Sequence, residues 1–591
     1  MRNANDQRCC WKLLILFLFM AVLLGVVVSV AEAHPIHFVT VAGAGSGNGS
    51  SWANAHAGVQ AALAAAVGGD EIWVAKGTYR PTGGPDPTAT FRLLDNVALY
   101  GGFDATETAR EDRDWSNHVT ILSGDIGTPD DNTDNSYHVV TGSGTNTTAV
   151  LDGFTVRDGN APVSTTPWVN SGAGMYNDGG SPTVANCTFS YNHALAGAGM
   201  YNDGGSPTVT NCTFSENVGG YGGGMANSGG SNPTVTDCSF SENQAFFIAG
   251  GMANGGGSNP TVFRCTFSGN SAPDGGGMEN FYSAPTVTNC TFSDNEANCG
   301  GGMRNVGSSP TVTNCTFSGN SVDGVSSAGG GMYNLESSPT VDQCTFSENS
   351  SEYYGGGMYN LESSPTVENC TFSGNEAGDG GGMYNQNSDP TVTNCTFSAN
   401  MAGSGGGIHN NSASPTVMNT ILAGNIPDDC YVCAKSTFNS SGYNLEGGTS
   451  CGCTALTDQQ NTNPMLGPLA DNGGPSETHA LLPGSPAIDT IPWPYNDAPS
   501  TDQRGFPRPY GLGGFADIGA VEMQLAYSLG DVNGDGAIDL LDVVLCARIA
   551  AGLNVSLAQR LAADMDRDGD VDMDDVSILS AHILATGGGA P

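Results

Sequence analysis

Two acidic stretches near the C-terminus carry oxygen ligands at a spacing that suits a metal ion. DVNGDGAIDLLD runs from Asp531 to Asp542, and DMDRDGDVDMDD runs from Asp564 to Asp575. Both fit the pattern D-x-[DN]-x-D-G-x-x-D-x-x-D. Calcium takes roughly six to eight oxygen ligands around a sharp turn, and Gly at the sixth place permits that turn. In the first loop the expected ligands are Asp531, Asn533, Asp535, the carbonyl of Ala537 and Asp542, with Asp539 acting directly or through water. In the second they are Asp564, Asp566, Asp568, the carbonyl of Asp570 and Asp575, with Asp572 in the ninth place. The spacing recurs after 33 residues, and each loop runs into an apolar-periodic stretch, LLDVVLCARIAAGL and MDDVSILSAHIL, that predicts a helix. A disordered acidic tail would show neither feature. Two calcium ions are expected, one per loop.

The rest of the chain must present this module. Of 591 residues, 58 are acidic and 17 basic, for a net charge of −41. That charge argues against nucleic acid and anionic membrane surfaces as partners, since both would repel the chain. It suits divalent cations. The N-terminus reads as an export signal: Arg2, Arg8 and Lys12, then the apolar run Leu13 to Val30, then the small-x-small site Ala31-Glu32-Ala33. Cleavage would leave His34 first; the alternative is an uncleaved anchor. No later segment is long and apolar enough to cross a membrane. A secreted or cell-surface location follows, and with it an oxidising environment for the later cysteines.

Between the two ends the chain repeats itself. The unit reads G-G-G-M-Y-N, then S-P-T-V-T-N, then C-T-F-S-G-N, with cysteines at 187, 212, 238, 265, 290, 315, 344, 370 and 395 and Thr420 in the tenth place. One Asn series runs from Asn177 to Asn410 and a second from Asn192 to Asn425. Each unit holds three short strand-like runs separated by turn residues, with no run long enough for a helix. Three strands and three turns describe one rung of a three-sided coil, so the predicted fold is an all-β parallel β-helix of ~25-residue coils, followed by a small all-α module. Alternation along each strand places Met, Val, Cys and Phe inside. The Asn side chains should stack as amide ladders, and the cysteines should be buried thiols acting as small apolar fillers.

This unit resembles the parallel β-helix repeats of the pectate-lyase-like superfamily. More narrowly it is similar to the polymorphic outer membrane protein repeat, with its G-G-A-[ILV] and F-x-x-N hallmarks, over about Gly172 to Asn425. The resemblance implies a right-handed coil and says little about activity. Upstream, the Ala-rich stretch Trp52 to Val67 has helical spacing and reads as a cap over the open end. Downstream, Cys430, Cys433, Cys451 and Cys453 could hold zinc, but the final C-x-C is tight for that. Disulfides are the expected outcome, with Cys430 bonded to Cys451 or Cys453. GSPAID, TDQRGFPRP and DIGAVE then resemble the choice-of-anchor Q region that ends some β-helices. There Asp502 and Arg504 read as a turn closed by a local ion pair.

The two loop–helix units, ending in Asp, look like a type I dockerin over roughly Gly530 to Leu584. That resemblance implies a calcium-dependent fold and a cohesin-like partner, often in assemblies that degrade polysaccharides. In the family the tenth and eleventh loop positions help choose the partner; here they are Leu540-Leu541 and Met573-Asp574. The expected layout is a signal over 1–33, cap and early coils over 34–160, repeats over 161–427, terminal coils and the anchor-like region over 428–526, and the dockerin over 527–587.

Lyases of this fold need a base, yet Arg264 and Arg304 are the only Arg or Lys residues between Gly172 and Asn425. Glycosidases need paired carboxylates, and Asp342 and Glu368 share one repeat position in successive coils. Stacking alone explains that pairing. Tyr333, Tyr359 and Tyr384 should form an outward stripe that suits sugar stacking or simply stabilises the sheet. The favoured reading is a protein that binds or scaffolds at a polysaccharide or cell surface. The alternatives are a polysaccharide hydrolase or lyase, and a passive adhesin.

Overall fold

The computed structural model describes residues 34–162, 170–324, 327–494, 499–509, 514–523, 530–533, 538–553, 555, 557–566 and 570–586. The expected export signal lies outside the described residues, as do Asp535, Ala537 and Asp568. Among the described residues no helix is long and apolar enough to cross a membrane.

Residues from Ile36 to Glu446 wind into a solenoid with three long parallel sheets of 16, 14 and 13 strands. The S-P-T-V-T runs build the first sheet, the C-T-F-S runs the second and the M-x-N runs the third, each pairing in register with the same run one coil on. Corners decide where the strands stop. The residue before each Cys is left-handed, as at Asn211 (φ 51°) and Asn314 (φ 54°), and so is the residue before each second-series Asn, as at Glu216 and Glu348 (both φ 55°). Asn tolerates that conformation better than most side chains, which accounts for the recurring T-N-C.

The interior follows the alternation. Met, Val, Cys and Phe of every repeat are almost fully buried and form one continuous core. From Phe189 to Phe397 the rings stack with centroids 4.5–4.9 Å apart and planes within 6°. The second Asn series is buried and doubly used. Asn295 donates through Nδ2 to Asn320 Oδ1 at 2.9 Å and to the Phe267 carbonyl at 2.9 Å, and its own Oδ1 accepts from Asn270. The first series hands Nδ2 to Oδ1 along the stack, as from Asn280 to Asn305 at 2.8 Å. These ladders satisfy amides that would be costly to bury alone. The repeat cysteines are buried free thiols.

The cap is shorter than its spacing predicts. Only Val59–Ala65 is α-helical, burying Val59, Ala62 and Leu63. Gly58 at φ 83° stops it on the N-terminal side, because His56–Ala57 pairs as a strand with Val39–Thr40.

Beyond the last coils the chain turns back along the outside of the second sheet. Gln503 Nε2 donates to Thr345 Oγ1 at 2.7 Å while its Oε1 accepts from Thr371 Oγ1 at 2.6 Å. His479 Nε2 lies 2.9 Å from Ser373 Oγ, and Ala520 N–H donates to Thr396 Oγ1 at 3.1 Å. Thr345, Thr371 and Thr396 are consequently buried. A polar cluster locks this flank: Asp502 accepts from Arg504, Phe506 N–H and Glu522 N–H, while Arg508 contacts Glu522 and the carbonyls of Asp517 and Gly519. Last in order come helices Leu540–Ala550, Leu557–Ala563 and Met573–Thr586, around a small core that includes Val532, Cys546, Ile549 and Leu579.

Candidate functional site

The two acidic loops fold alike wherever they are described. Asp539 caps the helix that follows the first loop, accepting from Leu541 N–H at 2.7 Å. Asp572 does the same for Asp574 N–H at 2.7 Å in the second. Asp542 and Asp575, at the twelfth positions, are buried and reach back across their loops to backbone N–H groups. In the second loop the carboxylate oxygens of Asp564, Asp566 and Asp575 lie within 4.8 Å of one another, and so do those of Asp570, Asp572 and Asp575. Both groups could hold a metal ion, and they share Asp575. Like charges this close, with Asp564 and Asp575 buried, call for a cation between them. An all-oxygen, carboxylate-rich donor set fits calcium better than a metal that prefers nitrogen or sulfur. In the first loop Asp531 is buried and Asn533 half-buried.

Apolar side chains flank the loops on the outside. Leu540 is 71% exposed, Leu541 62% and Val544 52%. Spacings of three and four residues put Val544 beside both leucines on one face of the first helix. Met573, which opens the helix after the second loop at the equivalent loop position, is 62% exposed.

On the solenoid the tyrosine stripe is in register but not open. Tyr333, Tyr359 and Tyr384 stack with centroids 5.2 and 5.5 Å apart. They are 4–9% exposed and form an outer apolar cluster with Ala328, against which Cys299, Leu335, Tyr354 and Leu361 pack. The outward platform expected from alternation alone is therefore covered, by residues just before the G-G-G runs and just after the M-Y-N runs.

Asp342 and Glu368 pair in register in adjacent strands of the first sheet. Each is half-buried, and burial raises each carboxyl above its ordinary range. Asn369 Nδ2 donates to Asp342 at 3.3 Å, and Arg508 of the folded-back flank opposes the shift at Glu368. Asp502 and Arg504 pair at 2.6 Å within a turn.

An open cleft that sequence reasoning did not single out lies on an early face of the solenoid. Its volume is about 360 Å³, and it is lined by Tyr191, His193, Glu216, Val218, Glu242 and Gln244. A second cleft of about 250 Å³ continues from it, sharing Tyr191 and His193. Tyr191 is 43% exposed, with its hydroxyl held by Glu216 at 2.7 Å and its ring beneath Arg157. The exposed rings of Tyr221 and Phe247 meet at 5.3 Å on a small three-stranded parallel sheet formed by His193–Ala196, Val218–Tyr221 and Gln244–Ile248. The available signal was Tyr191 standing where other coils carry Gly, Glu, Asp or Ala.

At the last coil Cys430 is disulfide-bonded to Cys451, while Cys433 and Cys453 are free.

A family model described as the right-handed beta helix region matches residues 134–285, 171–336 and 278–454, together more than half of the chain. A model for the dockerin type I domain matches residues 529–584. No curated protein matches the chain. Among solved structures, the chain is similar to pectate lyase Pel9A at 13% identity and a TM-score of 0.30, over 84% of this chain and 98% of that one. A likeness of that size carries no argument about activity. The chain belongs to the right-handed β-helix family and carries a type I dockerin domain after its solenoid.

Proposed function

We propose that this is an exported scaffold protein whose dockerin holds two calcium ions and docks onto a cohesin-like partner, leaving the rigid solenoid to engage a polysaccharide or cell surface. The observation that carries the reading is the exposed face of Leu540, Leu541 and Val544, with Met573 at the equivalent place on the other helix. Four large apolar side chains held open beside acidic loops suit a partner surface rather than solvent. Asp531, Asn533, Asp535, the carbonyl of Ala537, Asp539 and Asp542 would ligate the first ion. Asp564, Asp566, Asp568, the carbonyl of Asp570, Asp572 and Asp575 would ligate the second. Calcium supplies the charge that lets these carboxylates crowd. The chain's own contribution is to cap each helix and fix its first turn. The layout that goes with this reading is the one set out from sequence, with His479, Gln503 and Ala520 holding the terminal region against the solenoid. A binding screen against cohesin domains tests it: Leu541→Asp should abolish capture, and capture that survives the substitution would overturn it.

For the surface, the cleft beside Tyr191 supports a glycan better than the buried stripe does. An exposed ring flanked by carboxylate, amide and imidazole groups offers both stacking and hydrogen bonding. A glycan array should show binding that Tyr191→Ala removes and Tyr359→Ala does not. Released reducing ends that Asp342→Ala or Glu368→Ala abolishes would replace this reading with hydrolysis.

A further inference from the structure

The last coils bring together Asp379, Ser404, His409 and Cys433, which the proposed function leaves unused. Cys433 Sγ lies 3.6 Å from His409 Nε2. On the other side of the same ring, His409 Nδ1 lies 3.0 Å from Ser404 Oγ. Ser404 Oγ in turn donates to Asp379 Oδ1. Coil pairing produces this: His409 stands opposite Tyr431 in the third sheet, and Ser404 stands opposite Asp379 in the neighbouring coil.

The chain of contacts fixes the tautomer. Asp379 can only accept, so the Ser404 proton points to it. Ser404 Oγ must then accept from His409, which places the imidazole proton on Nδ1. The lone pair of Nε2 is left facing the Cys433 thiol. The ring cannot swing away: it is 4% exposed and stacks on Tyr384 with centroids 4.5 Å apart. Burial pushes the imidazole down and the thiol up, so the resting pair is neutral, as a base awaiting a proton requires. Asp379, through Ser404, supports the imidazolium once it forms. Cys433 itself is half-buried, unlike the repeat thiols sealed in the core.

We propose that Cys433 is a nucleophile for thiol–disulfide exchange, with His409 as its base and an accessible disulfide on a partner molecule as its substrate. His409 Nε2 takes the thiol proton. The Cys433 sulfur attacks one sulfur of the partner disulfide, a new S–S bond forms as the old one breaks, and the departing sulfur recovers the proton from His409. One disulfide is consumed and one is made, so no outside oxidant is needed. The product is a mixed disulfide that tethers the solenoid covalently to its partner. Ser404 and Asp379 are positioning residues, acting through the imidazole.

The test uses residues 34–591 and dithiodipyridine, an aromatic disulfide without the negative charge that so acidic a chain would repel. The native protein should give one fast equivalent, mapped by mass spectrometry to Cys433 and absent in Cys433→Ser. His409→Phe keeps a stacking ring and should slow the reaction roughly a hundredfold or more, within the range expected of a lost general base. Ser404→Ala should slow it as well, and Ser404→Thr, which retains the hydroxyl, should restore it. The proposal is overturned if Cys299, the other half-exposed thiol of the solenoid, reacts as fast as Cys433. It is also overturned if His409→Phe and Ser404→Ala leave the rate unchanged, or if no thiol reacts before the protein unfolds.

Discussion

Asp542 and Asp575 make the same pair of hydrogen bonds in their two loops. Asp542 accepts from Asn533 N–H at 3.0 Å and Asp539 N–H at 2.9 Å; Asp575 accepts from Asp566 N–H at 3.2 Å and Asp572 N–H at 2.8 Å. Each carboxylate ties the third and ninth loop positions to the helix that follows. Asp575→Asn keeps an acceptor there but removes one charge. Calorimetry should then count one calcium ion for the variant and two for the parent protein, and the helix Met573–Thr586 should lose protection from hydrogen exchange. Two ions bound with unchanged affinity would contradict the ligand assignment.

The Asn ladder predicts where the solenoid is most sensitive to a single change. Asn295→Leu removes hydrogen bonds to Asn320, Phe267 and Asn270 and leaves the Phe267 carbonyl buried without the amide. The expected loss is about 2–4 kcal/mol, read as a lower urea midpoint. A change below ~0.5 kcal/mol would mean that the amides merely fill space.

The raised carboxyl of Glu279 predicts that the solenoid loses stability as pH rises. Its side chain is buried against Arg304 at 2.7 Å, and burial, the dominant influence, raises its carboxyl from 4.5 to about 8 despite the guanidinium. The folded state therefore keeps a proton that the unfolded state releases. The stabilisation is complete below the unfolded value of 4.5 and is lost as pH rises through about 8. Between pH 5 and 9 the parent should lose on the order of 2–4 kcal/mol from this group. Denaturation midpoints across that range should fall for the parent and flatten for Glu279→Gln; parallel curves would show that Glu279 is charged throughout.

Gln503 tests the folded-back flank. It is fully buried and bridges Thr345 and Thr371, so Gln503→Leu strands the Thr371 hydroxyl and leaves Thr345 Oγ1 only its bond to the Glu477 carbonyl. Limited proteolysis should then cut within 466–523 first, while the repeat region stays intact. Resistance equal to that of the parent would show that the polar cluster around Asp502 is sufficient to hold the flank.

The repeat made most of this architecture legible. Identical residues at a fixed spacing can only stack, so the Met, Val, Cys and Phe core and both amide ladders could be read before any coordinates. The flank could not, because Thr345, Thr371 and Thr396 are the same residue that stands half-exposed or exposed in earlier coils such as Thr213 and Thr266. Nothing in the local sequence says which threonines will be covered. Burial of Tyr333, Tyr359 and Tyr384 likewise depends on Ala328 and Tyr354, which stand in register just before the G-G-G run, a position whose residue type varies from coil to coil. The approach of Cys433 to His409 needed the register of a coil whose sequence has already decayed. At the acidic loops the spacing alone marked the candidate ligands, while the open apolar face beside them became visible only once the helices were placed.

The central claim is that the apolar face of the loop–helix module is a calcium-dependent docking surface. Titrating residues 34–591 with a panel of cohesin domains, in calcium and in chelator, tests it most directly. The account predicts one-to-one binding to at least one of them in calcium, lost in chelator and lost in Leu541→Asp. Binding that persists in chelator, or a folded, calcium-loaded protein that none of the panel binds, would contradict it.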